Sequence, residues 1–179
     1  MKKLSLLLVI LLLTGCLNRH ATTDHLIGSV TKIDAEKEMV WVGTNPLYVD
    51  RVEDFDIGEN VHLTFTDPSL TEEWAPNEFN VTDVDFLDAD FFDRVRKTAW
   101  DYLPLGIQEN TTVPWQAAEV SVGYGLLESP RVELIDDKYD RQEAYIVAFE
   151  LSGEDDSYMV LIEKDSEKPI GVIKPRQEE

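Results

Sequence analysis

The sequence predicts an α+β protein in which a small N-terminal antiparallel β-barrel is followed by a helix packed on an antiparallel sheet. Three observations lead to this class. Short apolar stretches without helical period recur between residues 26 and 66. Apolar residues then recur at helical spacing from Phe92 to Leu103. Beyond Trp115 short apolar segments alternate with turns, and a helix followed by antiparallel strands is an α+β layer.

The chain begins with the layout of an export signal. Lys2 and Lys3 are followed by an apolar run, Leu4–Leu13, interrupted only by Ser5. Ten residues in a helix cover roughly 15 Å, about half the hydrocarbon thickness, so this run is not a membrane span. The segment is therefore left out of the fold.

The sequence LTGC, which ends at Cys16, resembles the bacterial lipobox at every position. The resemblance implies transfer of diacylglycerol to the Cys16 thiol and cleavage before it. Two or more acyl chains at about 0.8 kcal/mol per buried methylene give stable anchoring. The alternative is a stray cysteine at the end of an ordinary signal peptide. Since Cys16 is the only cysteine, that alternative leaves an unpaired thiol in an exported protein.

Five segments follow from these patterns. They are a lipoprotein signal peptide (1–15), a tether (16–25), the barrel (26–66), a connection (67–85) and the α+β module (86–175). The barrel strands are expected in LIGSVTKI, MVWVG and IGENVHLTF, with a turn at Asn45-Pro46. A barrel of roughly 40 residues is small for independent stability, so it is expected to lean on its neighbour.

The helix of the second module is expected to begin after an N-cap at Asp88 and to stop at Pro104. The later strands at 144–151 and 158–163 are apolar on both faces. One helix covers one face of a sheet, so the second face needs cover from the barrel, the connection or another protein.

The pattern GSVTKID…VWVG…IGENVHLTF is similar to the YobA-like N-terminal barrel of small Bacillus-type lipoproteins. The run AWDYLP…PWQAAEV…YIVAFE…GVIKP is similar to a PepSY-like or cystatin-like module. Members of these families have no assigned reaction, and the resemblance implies a protein-binding or protease-modulating role. It identifies no functional residue besides Cys16.

The charge of the chain excludes two classes of partner. The net charge is −20, and the first fifteen residues contribute only Lys2 and Lys3, both positive. Such a surface repels nucleic-acid phosphates and anionic lipid headgroups. Solubility in a salty exterior accounts for this charge; a basic partner or a cation-collecting surface is the alternative.

An acidic cluster before the helix invites a calcium interpretation. Its members are Asp83, Asp85, Asp88, Asp90 and Asp93. Counted from Asp83, the EF-hand ligand spacing fails after two positions. Acidic residues at a helix start are favoured by its dipole without a metal, so no metal site and no cofactor is predicted.

The remaining candidates for chemistry are few. His20 and His25 are expected in the tether, and His62 on the solvent face of a strand. Spacing alone leaves a serine–histidine–carboxylate triad open, but no nucleophile motif is present. Glycines around Tyr124 are expected to form a bulge or turn. Trp74 is either a packing residue or, from its place in the connection, a binding residue.

The sequence thus predicts a lipid-anchored protein at the extracytoplasmic face of the cell membrane, acting as a protein-interaction module with no catalytic residue. Its contact with the membrane is through acyl chains on Cys16, and an envelope protein is its expected partner. The alternative is an envelope sensor that binds a cation or a small ligand.

Overall fold

The computed structural model describes residues 22–67, 74–153 and 157–176. Within them the protein is mostly β, with 46% strand and 17% helix. It contains two antiparallel sheets of five strands each, and the first sheet does not close into a barrel. The prediction of an α+β protein with an N-terminal β-barrel was therefore wrong. Closure would require the first sheet's two outermost strands to pair, and they stay apart.

The first sheet has the strand order β3-β2-β1-β4-β5. Its strands are β1 (Thr22–Asp34), β2 (Met39–Val42), β3 (Asn45–Tyr48), β4 (Asn60–Asp67) and β5 (Asn80–Leu87). The predicted turn at Asn45-Pro46 is part of β3, and the β2–β3 turn is made at Gly43, whose φ is 60°. β5 occupies a stretch that the sequence suggested as connection and helix start.

The central strand β1 is shared between two pairings. Thr22–Ser29 pair with β4, and Val30–Asp34 pair with β2, with a bulge at the change of partner. One face of this sheet forms a core of aliphatic and aromatic side chains. Its fully buried members are Val30, Val40, Val42, Leu47, Val61 and Leu63.

The second sheet has the strand order β6-β8-β9-β10-β7. Its strands are β6 (Glu119–Tyr124), β7 (Val132–Leu134), β8 (Glu143–Glu150), β9 (Ser157–Glu163) and β10 (Pro169–Ile173). The two faces of β8 and β9 divide as their alternation predicted. Val147, Phe149 and Val160 enter one core, whereas Ala144 and Leu161 enter another.

The long helix, α1 (Phe91–Tyr102), covers the first of these two faces with Phe91, Val95 and Ala99. Asp90, not Asp88, is its N-cap residue, and it makes no side-chain capping bond. A short second helix, α2 (Leu105–Gln108), follows Pro104. Across the described ranges, no helix has the length and apolarity needed to cross a bilayer.

The other face of the second sheet is covered by the chain itself. Val132, Leu134 and Tyr139 pack there against Ala144, Leu161 and Ile170. Within residues 22–67, 74–153 and 157–176, this cover comes from the second half of the chain. The face that the sequence suggested as a partner surface is thus largely occupied.

The two sheets meet through the second face of the first sheet. Ile27 of β1 and Leu87 of β5 pack against the core that contains Phe91 and Tyr145. β1 also contacts β6 of the second sheet. The first sheet therefore depends on its neighbour for cover, as its small size suggested.

Gly171 tests the close packing of β10 against β7. A Cβ at this position would lie 2.5 Å from the Glu133 carbonyl oxygen and 2.8 Å from Leu134 Cδ2. We expect Gly171→Ala to lower the free energy of unfolding by about 1–3 kcal/mol, because backbone must move. Gly106→Ala is the matched control, since its Cβ meets nothing within 4 Å; it should change stability by less than about 1 kcal/mol. Urea unfolding of the wild type and both variants measures these changes. Equal stability of Gly171→Ala and Gly106→Ala would contradict the packing described.

Candidate functional site

The unpaired edges of the first sheet border a groove, which we call the edge groove. β3 and β5 approach each other across it without pairing. Its volume is about 390 Å³. Its lining is Glu38, Tyr48, Val49, Asp50, Arg51, Asp54, Phe55, Phe79, Asn80, Val81, Thr82, Asp83, Val84 and Phe86.

The interior of the edge groove is aromatic. Phe86 is 47% exposed, although it lies on the core side of β5, where it pairs with Val61. Tyr48 also lines the groove and is 41% exposed, on the face of β3 away from the buried Leu47. The centroid of the Phe86 ring lies 5.4 Å from the centroid of the buried Phe55 ring. Large side chains on a strand's core side are normally covered. This part of the core is left open because β3 and β5 do not close over it.

The rim of the edge groove is acidic. Glu38, Asp50 and Asp54 are exposed carboxylates of this rim. Arg51 is the single cation of the lining, and its Nη2 lies 2.7 Å from Asp54 Oδ1. The rim therefore keeps a negative excess, which favours cationic groups over anionic ones.

The two edges that border the groove are not alike. Pro46 in β3 has no N–H to donate, and its carbonyl accepts a hydrogen bond of 2.8 Å from Trp74 Nε1. Trp74 also packs edge-on against Phe65 and Phe79. Trp74 is thus a packing residue that covers the β3 edge. The open edge belongs to β5.

A second unusual feature is a buried histidine pair between the sheets. His25 of β1 and His62 of β4 are diagonal neighbours across the β1–β4 ladder, and His25 Nδ1 lies 3.0 Å from His62 Nε2. His62 is 2% exposed. The expectations that His25 lies in a tether and His62 on a solvent face were therefore wrong.

Carboxylates stand at both ends of the histidine pair. His25 Nε2 lies 2.8 Å from Glu143 Oε1 of the second sheet, and His62 Nδ1 lies 3.4 Å from Asp85 Oδ2 of β5. Lys164 Nζ bonds the other Glu143 oxygen at 2.5 Å. The chain Asp85–His62–His25–Glu143 thus crosses from one sheet to the other.

Of the three contacts, only the one between the rings is a hydrogen bond. The outer nitrogens, His25 Nε2 and His62 Nδ1, are buried and make no hydrogen bond within the described residues, although a carboxylate oxygen lies near each. The bond between the rings needs one N–H and one bare ring nitrogen. One proton added to the pair leaves this bond possible, whereas a second added proton would place two N–H groups face to face at 3.0 Å and break it.

The surroundings of His62 oppose that second proton. Burial lowers the pKa of His62 below its ordinary value of 6.5, and the charges of Lys164 and His25 lower it further. The carboxylates of Asp85 and Glu143 act to raise this pKa, but they do not outweigh the lowering effects. Burial acts to raise the pKa of Glu143, but the Lys164 hydrogen bond and the neighbouring cations bring it below its ordinary value. Burial raises the pKa of Tyr145, whose ring lies edge-on to His62, to about 12.

The acidic cluster is dispersed by the fold. Asp83 and Asp85 lie on β5, whereas Asp88 and Asp90 precede α1 and bind Arg94. Arg94 is also held by Glu167 of the second module, at 2.9 Å. Among the described residues, no three histidine, cysteine or acidic side chains are grouped so as to hold a metal ion.

One further candidate from the sequence can be placed. Gly123, where a bulge or turn was expected, lies within β6 and pairs with Ala144 in an unbroken register, without a bulge. A Cβ there would meet Ile146 Cδ1 at 2.7 Å, so this glycine serves close packing. Cys16 and His20 lie outside the described residues. Sequence reasoning missed the edge groove altogether, because its two walls are about 35 residues apart in the chain.

Comparison with known proteins adds no assignment: no family model, no curated protein and no solved structure matches the chain.

The histidine pair predicts a pH dependence of stability. Because the pKa of His62 is lower in the folded than in the unfolded chain, the unfolded state binds more protons below pH 6.5. Stability should therefore fall as the pH drops below 6.5. Urea unfolding from pH 7.5 to 5 measures it. Lys164→Gln should reduce the slope, because it removes a charge that lowers the His62 pKa. Asp85→Asn should increase it, and equal slopes in all three proteins would refute this account.

Proposed function

We propose that the protein is a lipid-anchored, extracytoplasmic interaction module that binds another protein at the outer face of the cytoplasmic membrane, without a catalytic role. The edge groove is the observation that carries the proposal. It combines half-exposed aromatic side chains, an open strand edge and a rim of carboxylates. Exposed apolar surface framed by polar residues is typical of interaction sites.

Two features of the sequence support the rest of the proposal. The LTGC motif ending at Cys16 supports lipidation and extracytoplasmic location. The resemblance of residues 88–175 to PepSY-like modules supports a role in binding proteins. The negative surface would keep the folded part off anionic headgroups and leave the edge groove accessible.

A second candidate function is an envelope sensor for a small ligand. The volume of about 390 Å³ favours it, because it falls within the range of small-molecule sites, about 300–1,000 Å³. The open groove and the strand edge beside it favour a protein segment. A small molecule that co-purifies with the wild type and is lost in Phe86→Ser would favour the sensor.

Anchoring is tested by Cys16→Ser. We expect the wild type, but not the variant, to incorporate radioactive fatty acid in growing cells and to stay in the membrane fraction. Ser5→Ala is the matched control, since it changes the apolar run and leaves the thiol. A wild type that takes up no label would end the lipoprotein assignment.

The interaction function is tested by site-specific crosslinking in intact cells. A photoreactive residue at Phe86 should form an adduct with a partner protein. The same residue at Tyr102, which is 41% exposed at the end of α1, should form little or none. Equal adducts at both positions, or none at either, would count against the edge groove as the binding surface.

A further inference from the structure

We propose that the edge groove binds an extended segment of a basic protein, which adds to β5 as a sixth strand with alternating apolar and cationic side chains. This inference rests on the interaction function proposed above and specifies its partner.

The hydrogen-bonding capacity is on β5. In an antiparallel pair, alternate residues turn their N–H and C=O groups away from the partner strand. On the side away from β4, no strand of the described residues pairs with β5. Exposed edges are commonly protected by lysine, proline or a bulge. β5 contains neither lysine nor proline, and its bulge lies before Asp83, outside the regular stretch; β3, in contrast, has Pro46 and its cover by Trp74.

The regular part of this edge is short. A register shift lies between the partners of Thr64 and Phe65, and from Asp83 to Leu87 the pairing with β4 is continuous. Five residues of strand extend about 17 Å. A bound segment would therefore make its backbone bonds along Asp83–Leu87 and end at the bulge.

The two faces of β5 determine which types of side chain the added strand needs at alternate positions. Val84 and Phe86 lie on the face of the aromatic groove, and Phe86 is half-exposed there. Asp83 and Asp85 are exposed on the opposite face. Cross-strand neighbours share a face, so residues beside Val84 and Phe86 would be apolar and those beside the aspartates cationic.

Charge argues against a second copy of this chain as occupant. Two copies would bring surfaces of net charge −20 together, and β5 itself carries two aspartates in its regular stretch. Like charges directly opposite on neighbouring strands are destabilising. A lysine- or arginine-bearing segment meets the opposite condition, and the groove's Arg51, held by Asp54, would not oppose it.

The test uses the full chain in neutral-lipid nanodiscs and three synthetic peptides, with empty nanodiscs as the blank. The first peptide alternates lysine with valine, the second alternates glutamate with valine, and the third is the first with N-methyl groups on alternate backbone nitrogens. Fluorescence anisotropy gives each Kd. We expect the lysine peptide to bind at least tenfold tighter than either of the others. An N-methylated peptide that binds equally well would overturn strand addition.

Matched variants separate the site from the general negative charge. Asp83→Asn, which leaves the contact of Asp85 with His62 in place, should weaken the lysine peptide at least threefold at low salt and reduce the salt dependence. Glu109→Gln removes the same charge from an exposed position elsewhere and should leave the Kd unchanged within error. Equal loss in both variants would show nonspecific attraction and overturn the proposal. If no peptide binds but Phe86 still crosslinks in cells, the interaction function stands and strand addition is wrong; if both fail, neither stands.

Discussion

Burial of both faces of β4, at the adjacent residues Val61, His62 and Leu63, is the constraint on which the rest of the structure depends. One face forms its own core around Val61 and Leu63. The other face carries Ile27, His62 and Leu87, which can leave water only by packing against the second sheet and α1. Strands that are covered on both faces cannot belong to an independent small domain. The position of the second sheet is therefore part of the folding of the first.

Polar groups at this junction restrict how the sheets can meet. An imidazole buried without a partner costs free energy, and His25 finds its carboxylate only on Glu143 of the other sheet. Ile27 packs against the core that contains Tyr145, and such apolar packing is not directional. The contact of His25 with Glu143 joins two particular atoms of the two sheets, so it adds a constraint on orientation to the apolar packing.

The sequence predicted local elements well and their partners poorly. The helical spacing of Val95 and Ala99 and the two-sided apolar pattern of β8 are properties of contiguous residues, and both were recovered. β5 was missed because its bulge places two polar residues, Thr82 and Asp83, between Val81 and Val84 and so breaks the period of two.

The wrong predictions of which strand faces are buried, and of barrel closure, have a different cause. The alternation of His62 with Val61 and Leu63 correctly indicated a strand, but only the distant second sheet determines that the histidine side is dry. Closure of a barrel likewise depends on whether β3 pairs with β5. These two strands are separated in the chain by β4 and by the residues on either side of it. The edge groove is the result of that failed closure, and nothing local in either strand encodes it.

The double pairing of β1 has a mechanical consequence. Force transmitted through the residues that precede Thr22 would act along the axis of a 13-residue strand. Its first eight residues pair with β4 in one continuous register, so their hydrogen bonds would share the load in shear and would not open one at a time. Because β1 is also the middle strand of the sheet, its extraction would separate β2 and β3 from β4 and β5. A pulling force applied at this end of the chain would therefore be resisted by all the hydrogen bonds between β1 and β4 at once.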